Sequence, residues 1–123
     1  MSLFGGFDRI ISASKNSADG LLVLRKEPAA RQEMIFGGLA VIILIVLGCP
    51  LYHILIFAIL LLIILATETL NSAIEEIVDR VSPEISDFGK KTKDLGSLAV
   101  AFTLIAAGLY WLYAVAAAFD FVS

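Results

Sequence analysis

The sequence predicts an all-α membrane protein, with an N-terminal amphipathic surface helix followed by three transmembrane helices. Three observations carry that expectation. Hydrophobic residues make up 59 % of the chain and charged residues 17 %, more apolar surface than a soluble protein of this length can bury. The apolar residues gather in long runs, and one of these, Ile54 to Ala66, contains no polar residue at all. All nine lysines and arginines lie either at or before Arg31 or between Arg80 and Lys93, which is the asymmetry of a chain that crosses a bilayer. A net charge of -3 argues against nucleic acid as a partner. The single cysteine, Cys49, allows no intrachain disulfide, and no Cys/His spacing suggests a metal cluster. Residues 1–123 read as one domain.

The elements follow in order. Residues 6–20 read as the surface helix. Phe7, Ile10, Ile11, Ser14 and Ala18 fall along one side, while Asp8, Arg9, Lys15, Asn16 and Asp19 fall largely elsewhere. The segment is too short and too polar to cross, so it belongs in the interface, and its charges interrupt any apolar core of a signal peptide. Gly20 is the expected stop. Pro28 suits the first turn of a helix, with Glu27 just before it where a carboxylate meets the positive end of the dipole. The first span covers 29–48, with residues up to Glu33 as its interfacial foot. Gly48-Cys49-Pro50 makes a tight, uncharged turn.

The second span covers 51–80, and neither Gly nor Pro occurs from Leu51 to Ser82. Such a helix is roughly 43 Å long against a hydrocarbon core of about 30 Å, so its polar end must project beyond the bilayer. Ser82 to Asp94 is a polar connection, with a partly helical form as the alternative. The third span covers 95–119, with Tyr110, Trp111 and Tyr113 as an interfacial aromatic belt. The positive-inside rule places the N-terminus, the acidic end of the second helix and the Lys90–Lys93 loop in the cytoplasm, and the carboxyl end outside.

Candidate chemistry concentrates where the second span ends. At 100° per residue, Glu68, Asn71, Glu75 and Asp79 share a stripe roughly 80° wide, and Glu76 points away from it. Acidic groups this close to hydrocarbon are costly and therefore candidates for function; the alternative is a carboxylate that only marks the end of the span. Arg9, Glu27, Arg31, Glu33, Lys93 and Asp94 gather at the same interface. Carboxylates with an amide and water suit magnesium, and lysines near the start of the third helix suit phosphate. A Walker loop is lacking. A proton or cation pathway uses the same carboxylates, although the wholly apolar outer halves of the spans argue against conduction. Elsewhere, His53 is expected at the outer interface and Cys49 as a small apolar filler. Gly37, Gly38 and Gly108 are expected to permit close helix packing. Asp94 has a second reading as the N-cap of the third helix.

Three runs sharpen this. Glu27 to Glu33, the run Glu68-Thr69-Leu70-Asn71-Ser72-Ala73-Ile74-Glu75-Glu76-Ile77-Val78-Asp79-Arg80, and Lys93-Asp94-Leu95-Gly96-Ser97 together resemble the small bacterial membrane diacylglycerol kinase family. The resemblance runs from Phe7-Asp8-Arg9-Ile10-Ile11 into the third span. It implies a homotrimer with active sites shared between protomers, and transfer of the γ-phosphate of ATP to diacylglycerol with magnesium, giving phosphatidic acid. By position it makes Glu68 the general base, Asn71 an orienting group, and Glu27 and Glu75 the metal carboxylates. It assigns ATP contacts to Asn16, Glu27, Glu75, Asp79, Glu84, Ile85, Ser86, Lys93 and Asp94. It assigns the lipid substrate to Arg9, Ser14, Ser17, Asp19, Ala30, Arg31, Gln32, Glu33, Glu68 and Ser97. The chain departs from the pattern at Pro28, where a small non-proline residue is expected, and at Asn16 and Ser86, where some members carry tyrosine and histidine. Undecaprenol is the alternative acceptor within the family. A non-enzymatic bundle, ion-conducting or adaptor, is the alternative outside it.

Overall fold

Four helices make up the computed structural model, which describes residues 3–120: α1 (Leu3–Leu24), α2 (Pro28–Val46), α3 (Leu51–Val81) and α4 (Asp87–Ala118). The last three are long and apolar enough to cross a membrane. Helix α3 runs unbroken because nothing between Leu51 and Ser82 interrupts it. Where its two threonines enter the apolar stretch, they return their hydroxyls to the helix: Thr67 Oγ1 donates to the Ile63 carbonyl at 2.8 Å and Thr69 Oγ1 to the Leu65 carbonyl at 2.6 Å. Neither hydroxyl is then left to face lipid unpaired.

The α2–α3 turn is a glycine-terminated cap. Gly48 adopts φ +74, its N–H donates to Ile45 O, and the Cys49 N–H donates to Leu44 O, both at 3.0 Å. This pattern closes the last carbonyls of α2 and needs a left-handed residue, which glycine supplies without strain. Pro50 then precedes α3 in an extended conformation.

Packing follows a seven-residue period. The buried residues of α2 are Ala30, Gly37 and Leu44. Those of α3 include Phe57, Ile64, Asn71 and Val78, and those of α4 include Gly89 with Gly96 and Val100 with Ala107 and Ala114. A strict heptad repeat keeps one seam of each helix against its neighbour, with the helices nearly aligned. The apolar centre of the seam joins Leu44, Cys49, Phe57, Ile64, Ala107 and Ala114, so Cys49 is the small filler expected. A Cβ at Gly37 would come within 2.9 Å of Leu61 Cδ2, whereas Gly38 and Gly108 have open space around them. Close packing in the protomer therefore uses Gly37 and not the other two. Trp111 ties α4 to α2 by donating from Nε1 to the Ala40 carbonyl at 3.1 Å, a tertiary contact rather than a purely interfacial one.

Three expectations are corrected. Gly20 does not stop the first helix, which continues to Leu24. A single internal glycine costs only about 1 kcal/mol, and the break comes where Glu27 must be extended ahead of Pro28. The third long helix begins at Asp87 rather than Leu95. Ser86 caps it, accepting from the Gly89 N–H at 3.0 Å, and a Lys90–Asp94 pair at 2.7 Å lies along its second turn. Asp94 is thus inside the helix and is not its N-cap. Finally, His53 is buried, at 5 % exposure, with its ring edge-on to Tyr52, Tyr110 and Tyr113.

Candidate active site

The acidic stripe lies on α3 as a graded row. Glu68 and Asn71 are each 7 % exposed, Glu75 is half-buried and Asp79 exposed. One helix thus carries polar groups from the buried seam out to solvent. The seven-residue period explains the innermost part. Asn71 stands in line with Phe57, Ile64 and Val78, a position that elsewhere holds an apolar knob, and Glu68 lies one turn inward from it.

Each buried member meets a different neighbour. The Glu68 carboxyl lies beside that of Glu33 on α2, and Glu33 Oε2 is buried without a hydrogen-bond partner. Two acidic groups are thereby held together in a buried setting where isolated charge is costly. Asn71 Nδ2 donates to Glu75 Oε1 at 3.3 Å. Asn71 Oδ1, also buried, has no partner and stands against Gly96 of α4. At the exposed end, Asp79 accepts from Lys93 Nζ at 2.6 Å, an α3–α4 bridge.

Beyond that bridge the loop between α3 and α4 encloses a cleft of about 240 Å³ lined by Asp79, Ser82, Glu84, Ile85, Ser86, Gly89, Lys90 and Lys93. Ser82 and Ser86 share a hydrogen bond of 2.6 Å across it. The cleft brings together Asp79, Glu84, Ile85, Ser86 and Lys93 of the expected nucleotide set. It does not include Asp94, which turns to the neighbouring groove with Asp87, Lys91 and Leu98.

Glu27 stands elsewhere. It lines a cavity of about 320 Å³ with Gly20, Leu24, Thr69, Ser72, Ala73 and Glu76, on the side of α3 that carries Glu76 rather than Glu75. Glu76 itself is exposed and paired with Arg80 at 3.2 Å. Among the described residues no three His, Cys, Asp or Glu side chains gather as a metal site within one chain. Magnesium usually takes one or two protein carboxylates and fills the rest of its shell with phosphate and water. Glu75, half-buried and held by an amide, fits that requirement.

The remaining expected residues are spread out. Arg9, Ser14, Asn16, Ser17 and Asp19 lie exposed along α1, with Phe7, Ile10 and Ile11 also exposed. Ala30 is fully buried at the foot of α2, while Arg31, Gln32 and Ser97 are exposed. Sequence reasoning missed the Glu33–Glu68 neighbourhood, the Ser82–Ser86 bridge, Lys90 in the cleft, and Gly96. A signal for the last existed: Gly89 and Gly96 are seven apart, matching the spacing of Val78 and Asn71 on the facing helix.

Known proteins resemble this chain over most of its length. The family described as prokaryotic diacylglycerol kinase matches residues 15–115. A diacylglycerol kinase of Sinorhizobium sp. is 44 % identical over 110 residues, covering 89 % of this chain and 80 % of that protein. The diacylglycerol kinase of Escherichia coli K12 is 39 % identical over 111 residues, covering 86 % and 88 %. That of Pseudomonas aeruginosa is 37 % identical over 103 residues, covering 81 % and 84 %.

Proposed function

The chain belongs to the prokaryotic diacylglycerol kinase family, and from that premise we propose that it phosphorylates diacylglycerol with ATP and magnesium at the cytoplasmic face of the bacterial inner membrane. One observation carries the reading: the row Glu68, Asn71, Glu75, Asp79 runs on a single helix from the buried seam to a solvent cleft lined by Lys93. The lipid hydroxyl lies at headgroup depth, the level of Glu68. Glu75 is about 10 Å further along the same face, in the aqueous layer where a nucleotide must be.

In the reaction the diacylglycerol hydroxyl oxygen forms a bond to the γ-phosphorus of ATP. The bond from that phosphorus to the β–γ bridging oxygen breaks, and ADP leaves. Glu68 accepts the hydroxyl proton, and phosphatidic acid remains in the membrane. Asn71 holds the Glu75 carboxylate through its 3.3 Å hydrogen bond. Lys93, steadied by Asp79, offers a cation to the nucleotide phosphates, with Ser86 and Glu84 closing the cleft. Magnesium, when bound at Glu75, supplies charge neutralisation for the transferring phosphoryl group.

The position of Glu27 supports the expected homotrimer. It lines the cavity beside Thr69, Ser72 and Glu76 rather than joining the Glu75 carboxylate, which favours a site that takes Glu27 from a neighbouring protomer. Mixing protomers carrying Glu27→Gln with protomers carrying Glu75→Gln is then expected to restore part of the activity, because some interfaces combine the intact Glu27 of one protomer with the intact Glu75 of its neighbour. No recovery in well-mixed oligomers refutes shared sites. The activity is tested with purified protein, labelled ATP, magnesium and competing diacylglycerol and undecaprenol. Labelled phosphatidic acid is the expected product; undecaprenyl phosphate as the main product overturns the choice of acceptor.

A further inference from the structure

We propose that Gly96 is a positioning residue of the active site: the side chain it lacks is the space that holds the Asn71 amide, and that amide holds Glu75. The proposal rests on the kinase reading above and extends it to a residue of α4 that touches no substrate. Three observations meet here. A Cβ built on residue 96 would collide with Asn71 Oδ1 and lie 3.1 Å from its Cγ. That Oδ1 is buried with no hydrogen-bond partner, so the amide is fixed on this side by its fit against the backbone of α4. On its other side Nδ2 donates to Glu75 Oε1 at 3.3 Å.

An asparagine side chain has two torsions and few allowed rotamers. Closing the space at residue 96 forces the amide away from α4, and Nδ2 moves with Oδ1, so the hydrogen bond to Glu75 is lost. Partners that orient a metal-binding carboxylate are commonly worth about 10- to 100-fold in metal affinity or activity. The other glycines do not share this arrangement. Gly38 and Gly108 have open space, and a Cβ at Gly89 would stand 3.2 Å from Ser86 Oγ, 3.4 Å from Val78 Cγ1 and 3.8 Å from Ser82 Oγ.

The test is a double-mutant cycle of Gly96→Ala and Asn71→Ala, read by turnover, by magnesium dependence and by thermal midpoint. Gly96→Ala is expected to lower turnover about 10- to 100-fold and to raise the magnesium concentration needed for half activity, with KM for diacylglycerol within about twofold. In the Asn71→Ala background the same change is expected to cost no more than about twofold further, since the colliding amide is then gone and the Cβ of residue 71, at 3.9 Å, is an ordinary contact. The midpoint gives a readout independent of catalysis: Gly96→Ala lowers it when Asn71 is present. In the Asn71→Ala background it leaves the midpoint unchanged or raises it, because alanine is the better helix former. Additive midpoints, additive losses of turnover, or wild-type magnesium dependence in Gly96→Ala each overturn the proposal. Should Gly96→Ala fail to assemble, the double variant must assemble, and its failure also overturns the proposal. Absence of diacylglycerol phosphorylation by the wild-type protein refutes the kinase reading instead, and the midpoint cycle still decides whether Asn71 fills the space at Gly96.

Discussion

The two ends of the helical bundle each bury a polar group, and they do so in opposite ways. At one end Glu68 and Asn71 are followed along α3 by Glu75 and Asp79, so burial gives way stepwise to a charged cleft. At the other end His53 is buried among Tyr52, Tyr110 and Tyr113, and its Nδ1 has no partner. His53, Tyr52 and Asp120 all line a cavity of about 390 Å³ at that end. A buried polar residue thus marks chemistry where it opens a route between two phases. Packed edge-on against rings, as at His53, it is a packing element.

Substitutions that separate activity from stability break or sharpen this contrast. The largest effect is expected from Glu68→Gln, which keeps shape but cannot accept a proton: turnover falls roughly 10²- to 10⁴-fold with nucleotide binding near normal. Near-full turnover would remove Glu68 as the base. Next, Glu75→Gln is expected to abolish most magnesium-dependent binding of an ATP analogue while the oligomer stays assembled, measured by calorimetry and size. Wild-type binding strength would refute its metal role. At the opposite end, Trp111→Phe deletes the bond to the Ala40 carbonyl and is expected to cost about 1 kcal/mol of stability with turnover unchanged. A large loss of turnover would show that the two ends are coupled. Similarly, His53→Phe removes an unpartnered buried nitrogen and is expected to raise stability by about 1 kcal/mol, read as a slightly higher thermal midpoint, without touching activity. The smallest effect belongs to Glu76→Gln. It breaks an exposed pair with Arg80, worth about 0–1 kcal/mol, and turnover is expected to stay within about twofold.

Much of the architecture was legible in advance because its signals are local. The bounds of α3 were read correctly from the absence of Gly and Pro, and Pro28 in the first turn of α2 from its fixed φ and missing N–H. Misreadings arose where a short-range rule competes with its surroundings. Gly20 is a weak breaker beside the stronger one at Glu27-Pro28. The start of α4 was misplaced because the capping hydroxyl of Ser86 outweighed the polar composition of the next eight residues.

The sequence by itself determined the three apolar helices, the stripe Glu68, Asn71, Glu75, Asp79 and the family, since hydropathy, helical period and motif order are all carried along the chain. Only the tertiary structure decided what lies across from that stripe. It brought Glu33 to Glu68, Lys93 to Asp79 and Gly96 to Asn71, and it set Glu27 in the cavity beside Thr69, Ser72 and Glu76. The reason is physical: a helix repeats its own faces every 3.6 residues, but which face of a second helix meets it depends on how the side chains of both fill the space between them.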